Sequence, residues 1–347
     1  MPTPAEQLVG LTLPEGWKVI TRTDRESLKT GGHFSCGYFV EREDGERAYL
    51  KALDYTKALK SPDPALLLQA MAEIFNHERE LCMRCRETNL RRVVRIHTHG
   101  KIQIDADNAA SVVQYLIFEL ASGDVRSQLD AADKFDHAWA LRSLHHVATG
   151  LQELHGVGIA HQDLKPSNVL HFPHHVFKIA DLGRATAKFR MSPHEGSEVA
   201  GDLSYAPPEL LYHAVDPDWN KRRLGCDLYL LGSMIVFFFA RTSMTGLLLS
   251  HMDPELHWEK WSGTYNEVQP YIRNAFGEAI LSFRDELPDW LRPSLEPMVR
   301  QLCEPDPSLR GHPADRTGHH NPYSLERYVS GLNLLAEKAE WGLIGRG

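Results

Sequence analysis

His161-Gln-Asp-Leu-Lys-Pro-Ser-Asn168, followed after residues 169–180 by Asp181-Leu-Gly183, holds the densest chemistry in the chain. Asp163 offers a carboxylate that can accept a proton, and Lys165 places a cation two positions on. Asn168 and Asp181 carry the oxygen ligands that hard divalent cations prefer. Between them, Val169 to Ala180 reads as a short hairpin, which keeps the two oxygen donors on neighbouring loops.

Upstream, Trp17 to Leu53 alternates apolar and polar residues and is broken at Thr30-Gly31-Gly32 and Glu43-Asp44-Gly45, a pattern of two or three antiparallel strands. From Pro64 to Arg86, apolar residues recur at Leu67, Met71, Ile74, Phe75, Leu81, Cys82 and Cys85 with helical period. Val93 to Ile96 and Val112 to Leu120 read as further strands. After Gly123 the texture becomes helical, including Ala138–Leu154, Leu228–Ala240 and a final helix over Ser324–Ala339. The chain therefore divides into an N-terminal extension (1–16), a small β-rich lobe with one helix (17–121) and a larger helical lobe (122–347). The fold class is α+β.

Across 347 residues, 38 Lys and Arg stand against 46 Asp and Glu, a formal net charge of −8, which argues against a dedicated nucleic-acid binder. Hydrophobic residues make up 42%, enough for substantial cores and too many for a disordered chain. The run Leu228–Ala240 is shorter than the roughly 20 residues that cross a bilayer and reads as a buried core helix. Five cysteines form no disulfide framework, and Cys82 and Cys85 suit the buried face of a helix better than a metal site. The N-terminus has neither the basic start nor the apolar stretch of a signal peptide, so a cytoplasmic location without membrane attachment is expected.

A base, a cation and two oxygen donors meet the needs of γ-phosphoryl transfer, in which metal ions bridge the phosphates and a hydroxyl is aimed in line. With His161, Asp163, Lys165, Pro166, Asn168, Asp181 and Gly183 at their spacing, the chain resembles the protein kinase family, whose loops read H-R-D-L-K-P-x-N and D-F-G. The resemblance spans about residues 30–310. It implies the bilobal kinase fold, ATP with Mg²⁺ or Mn²⁺ held by Asn168 and Asp181, Asp163 and Lys165 as catalytic residues, and a protein Ser/Thr hydroxyl as acceptor. It places Lys51 on the lysine that holds the α and β phosphates. Glu78 and Glu80 compete as its partner, and Glu78 is chosen because it shares the apolar face of the helix. The hinge would offer backbone groups of Glu119 and Ala121 to the base, leaving their side chains free to vary, with Phe118 at the back of the pocket. Asp124 would reach the ribose or cap a helix. Glu209 would pair with Arg310, and Asp227 would brace the catalytic loop or cap its own helix.

Three departures matter. Only Gly32 of Thr30-Gly31-Gly32-His33-Phe34-Ser35 falls on a family glycine, so the phosphate-covering loop is degenerate. Gln162 replaces the arginine that docks a phosphorylated activation loop, so switching is expected from a partner protein or the N-terminal segment. Asp202 stands where Ser/Thr kinases place a threonine. Ser192, Ser197 and Ser204 are candidate autophosphorylation sites. A phosphotransferase acting on a small molecule and a pseudokinase binding module are the two rival readings.

Overall fold

The computed structural model describes residues 2–23, 35–108, 111–317 and 321–342. Strands β1 (Lys18–Arg22), β2 (Ser35–Glu41) and β3 (Arg47–Leu53) precede helix α1 (Pro64–Glu87), and β4 (Ile96–Gln103) and β5 (Val112–Glu119) follow it. The strands pair antiparallel in the order β1-β2-β3-β5-β4. Side chains alternate across the sheet. Cys36, Tyr38, Val40, Ala48, Leu50, Ala52, Val113, Tyr115 and Ile117 form one face, which Ala5, Leu8, Leu13 and Trp17 of the N-terminal segment cover. That segment is tied down by the Tyr38 hydroxyl, which donates to Ala5 O at 2.5 Å, and by Arg22 against Glu6 at 2.9 Å. The opposite face looks into a cleft.

Helix α1 starts where Asp63 accepts the Leu66 N–H at 3.1 Å ahead of Pro64, and it ends before Asn89, whose φ of 56° breaks the helical path. Its buried face carries Met71, Phe75, Glu78, Leu81, Cys82 and Cys85. The strand expected over Val93–Ile96 begins instead at Ile96 and runs to Gln103. It is an edge strand with a largely polar sequence, so hydrophobicity did not mark it.

Beyond the hinge come β6 (Gly123–Asp124), α2 (Val125–Ala131), α3 (His137–Gly156), β7 (Ile159–Ala160), β8 (Val169–Phe172), β9 (Val176–Ile179) and β10 (Thr186–Ala187). The rest is helical: α4 (Pro208–Leu211), α5 (Gly225–Ala240), α6 (Met244–Ser250), α7 (Tyr265–Glu286), α8 (Arg292–Leu302) and α9 (Glu326–Glu340). The expected hairpin is β8–β9, paired from Val169↔Ile179 to Phe172↔Val176. Helix α5 is apolar all round and buried from Gly225 to Phe238, forming the axis of the lobe. With the turn before it, Asn220–Ala240 is long and apolar enough to cross a membrane by length and composition, but most of it is buried inside the fold. The five cysteines are all buried, Cys82 and Cys85 included.

Glu209 on α4 and Arg310 form a two-pronged ion pair at 2.6 and 2.8 Å, both side chains out of solvent. The guanidinium also donates to Gly225 O and Glu304 O, tying the segment after the cleft to the start of α5. Removing one partner strands a buried charge. Glu209→Ala is expected to cost about 3–5 kcal/mol, read from the midpoint of urea unfolding. A loss below about 1 kcal/mol would show that Arg310 finds full compensation elsewhere.

Candidate active site

The catalytic loop is built outward from a buried carboxylate. Asp227, in the first turn of α5, accepts the His161 N–H at 2.7 Å and the Gln162 N–H at 2.8 Å, and His155 Nε2 lies 2.9 Å away. Burial alone would raise its pKa, but His155, His161 and the Gln162 N–H hold it below the ordinary aspartate value. Asp227 thus braces the loop backbone. Gln162 takes a φ of 67°, an unusual conformation for a side-chain-bearing residue, and these bonds hold it there. His161 Nε2 donates to Ala180 O at 3.0 Å, linking this loop to the residue before Asp181.

Asp163 is nearly buried and fully oriented. Its Oδ1 accepts the Asp202 N–H at 2.9 Å, and its Oδ2 lies 3.1 Å from Asn168 Nδ2 and 3.3 Å from Lys165 Nζ. Asn168 Nδ2 also donates to Asp163 O at 2.8 Å, so the amide nitrogen is committed to the loop and the amide oxygen is left to serve as a ligand. Gly201 makes the approach of the activation segment possible: a Cβ there would lie 2.2 Å from Gln162 O and 2.8 Å from Asp163 Oδ1. Lys165 Nζ is 3.3 Å from Asp202 Oδ2, so the carboxylate that replaces a threonine binds the lysine directly.

On the other side of the cleft, Lys51 Nζ contacts Glu78 Oε1 at 2.7 Å, Glu78 Oε2 at 3.0 Å and Asp181 Oδ1 at 3.3 Å. Burial opposes the lysine charge, but Asp181 and Glu78 together hold the ammonium well above the ordinary lysine range. The Asp181 carboxyl, which burial would raise, is held below its usual value by Lys51, His161 and the Gly183 N–H. Glu80 points away, beside Arg79 and Arg190. Among the described residues no three His, Cys, Asp or Glu side chains cluster to hold a metal unaided. Asn168 and Asp181 supply two oxygen donors, which suits Mg²⁺ when substrate phosphates complete its shell. Gly32 lies outside the described residues.

These groups line a cavity of about 450 Å³ whose wall continues through Phe118, Glu119, Leu120 and Ala121. The Glu119 side chain is not free to vary, contrary to expectation. It bonds Lys178 Nζ on β9 at 2.7 Å through both oxygens and accepts the Arg95 N–H at 2.7 Å, a bridge between the lobes. Asp124 is the helix cap, accepting the Ser127 N–H at 2.9 Å and the Ser127 hydroxyl at 2.7 Å. Ser192 is buried, donating to Ala185 O at 3.3 Å and accepting the His194 N–H at 3.2 Å, whereas Ser204 is exposed.

The activation segment is held by contacts that sequence reading missed. Fully buried Arg223 donates to Gln162 Oε1 at 3.2 Å, His194 O at 3.1 Å and Glu195 O at 3.2 Å. Arg222 donates to Ser197 O at 2.6 Å. Two buried imidazoles complete the anchoring: His77 Nε2 donates to Ala185 O at 2.8 Å, and His194 Nε2 donates to Gly183 O at 3.0 Å. Only the burial of isolated histidines could have signalled these roles, and burial is not visible in a scattered set of 19.

The protein kinase domain family matches residues 29–320 of the chain. Serine/threonine-protein kinase PknA of Mycobacterium tuberculosis is 28% identical over 219 residues, 62% of this chain and 46% of that protein. The eIF-2-alpha kinase GCN2 of Arabidopsis thaliana is 27% identical over 237 residues, 63% of this chain and 17% of that protein. Serine/threonine-protein kinase grp of Drosophila melanogaster is 28% identical over 215 residues, 59% and 36% respectively. The chain thus spans less than half the length of each of these relatives.

Burial, with Arg184 nearby, lowers His194 to about 4, against about 6.5 for a free histidine. The unfolded chain therefore binds a proton first as pH falls, so stability intact above about pH 6.5 is lost progressively toward pH 4. Between pH 7 and pH 5 this site should account for roughly 1–2 kcal/mol, and His194→Gln should flatten the pH dependence of the unfolding midpoint. A residual slope is expected from His146, which burial lowers to about 3. An unchanged slope in the variant would exclude His194 as the titrating group.

Proposed function

Because the chain belongs to the protein kinase family, we propose that it transfers the γ-phosphate of MgATP to Ser or Thr hydroxyls of protein substrates. The observation that carries this reading is the assembled triad of Lys51, Glu78 and Asp181, which lines one cavity with Asn168 beside the oriented Asp163. Lys51 holds the α and β phosphates against the cleft, and Glu78 holds Lys51. Asp163 orients the acceptor hydroxyl and takes its proton as the oxygen bonds to the γ-phosphorus and the bond to the β-phosphate oxygen breaks, releasing ADP. Lys165 offsets charge on the moving phosphoryl group. Mg²⁺, held by the oxygens of Asn168 and Asp181, would supply neutralisation of the phosphate charge.

The protein-directed branch is supported by the Glu209–Arg310 pair, which holds the segment ahead of α5 in place, and by Lys165 beside Asp163. Ser/Thr choice is further supported by relatives named as serine/threonine kinases. Exposed Ser204 and half-buried Ser197 are the candidate acceptors for autophosphorylation, since neither is shut away from solvent as Ser192 is. Control by a partner protein rather than a loop phosphate fits Gln162 in place of arginine, with Arg222 and Arg223 already bonded to main-chain carbonyls.

The test is transfer of labelled γ-phosphate by wild type and variants to a generic protein substrate, with intact mass recorded in parallel. Asp163→Ala should lower turnover by roughly 10²- to 10⁴-fold while ATP affinity is largely kept. Asp181→Ala should abolish metal-dependent transfer, and Lys51→Met should impair phosphate positioning. Full turnover in Asp163→Ala would overturn the base assignment. ATP binding by the wild type without transfer to protein would favour a small-molecule acceptor.

A further inference from the structure

Behind Glu209, a second cavity of about 510 Å³ opens between the turn that leads into α5, the start of α7 and Asp306-Pro307. It shares no lining residue with the catalytic cleft, and the transfer chemistry makes no use of it. Its volume falls within the roughly 300–1,000 Å³ of small-molecule clefts.

Three carboxylates reach its wall, and every oxygen on them is taken. Glu209 is held by Arg310 through both oxygens. Asp216 accepts the Asp218 N–H at 2.9 Å and Lys221 Nζ at 2.7 Å. Asp306 accepts the Ser308 N–H at 3.0 Å and Arg273 at 2.9 Å. The donors are in the opposite condition. Arg222 Nη2 donates to Ser197 O at 2.6 Å and to Glu195 O at 3.3 Å, but its Nε is buried with no hydrogen-bond partner among the described residues. Folded proteins rarely leave a buried donor so. Lys221 gives one N–H to Asp216 and has two more. Asn266 and Gln269, three apart on one face of α7, carry side-chain amides that bond to no described residue.

We infer that this cavity is a second binding site, which takes a phosphate group, free or carried on a phosphorylated side chain. Its spare hydrogen-bonding capacity is for acceptors. Its charges cancel in pairs, Glu209 with Arg310, Asp306 with Arg273 and Asp216 with Lys221, and Arg222 alone is left without a carboxylate among the described residues. A carboxylate ligand would bring two oxygens and one charge. A phosphate brings three acceptor oxygens and nearly two charges, which matches a guanidinium, an ammonium and two amides. Occupancy is felt by the activation segment, because the guanidinium that meets the ligand through Nε holds Ser197 and Glu195 through Nη2.

Calorimetric titration of the full chain with inorganic phosphate and, separately, with a phosphoserine peptide reads the site directly. Both wild type and Lys51→Met, which removes the phosphate contact of the catalytic cleft, should bind to the same extent. Lys221→Gln, and Asn266→Leu combined with Gln269→Leu, should each weaken binding by about 10- to 150-fold, the span of a hydrogen bond to a charged group. The α7 pair makes no bond to the activation segment, so a loss there cannot come from loosening it. Phosphate should also slow amide hydrogen exchange across residues 195–198 in wild type and not in the α7 double variant. Tighter binding of the peptide marks a phosphorylated side chain as the occupant, and tighter binding of inorganic phosphate marks the free ion. No saturable binding by wild type at millimolar ligand, equal affinity for acetate, or unchanged affinity in both variants would overturn the assignment. Loss of all binding in Lys51→Met would place the phosphate in the catalytic cleft and overturn it as well.

Discussion

A charge buried at the start of the central helix organises everything around it. Asp227 has no access to solvent, and a bare carboxylate there would be costly. It stays ionised because backbone N–H groups of His161 and Gln162 and the His155 ring converge on it. The same bonds that satisfy the carboxylate dictate where the loop backbone must run, down to the unusual φ of Gln162. Asp163, Lys165 and Asn168 inherit their positions from that constraint, and His161 extends it to Ala180 and so to Asp181. Core and site are mechanically one piece.

The upper lobe is coupled to this piece through charges that cross the cleft. Lys51 bonds Glu78 on α1 and Asp181 after β9, so strand, helix and loop meet at one ammonium. Glu119 and Lys178 make a second bridge at the hinge. Both lie in partly dehydrated surroundings, where an opposite charge at short range is worth more than on the open surface. Electrostatics at these two points thus joins the apolar packing of α1, the His77 bond to Ala185 O and the backbone bonds of Arg92 and Val94 to Ile179 in setting the relation between the lobes.

Arg223 holds the activation segment without any phosphate. Gln162 cannot dock a phosphate, but its amide oxygen accepts from Arg223, whose guanidinium also reaches the carbonyls of His194 and Glu195. Neutral acceptors satisfy most of its donors, and burial lowers its pKa. The activation segment is held by main-chain carbonyls that are present whatever its state of modification.

Much of this was legible in sequence because it is local. The order of residues from His161 to Asn168 and the hairpin leading to Asp181 follow from composition and spacing, and the helical face of α1 singled out Glu78 over Glu80. The polar edge strand β4 escaped because a strand at a sheet edge has little apolar alternation to display. Glu119, His77, His194 and Arg223 escaped for a different reason: each acts through a partner distant in the chain, such as Lys178 for Glu119 or Ala185 for His77. The sequence by itself determined the chemistry available, the lobes and the element types, since periodicity and residue class are properties of neighbouring positions. Only the tertiary structure decided which charges meet and which serine is buried, because burial and distance between remote residues exist only once the chain has closed on itself.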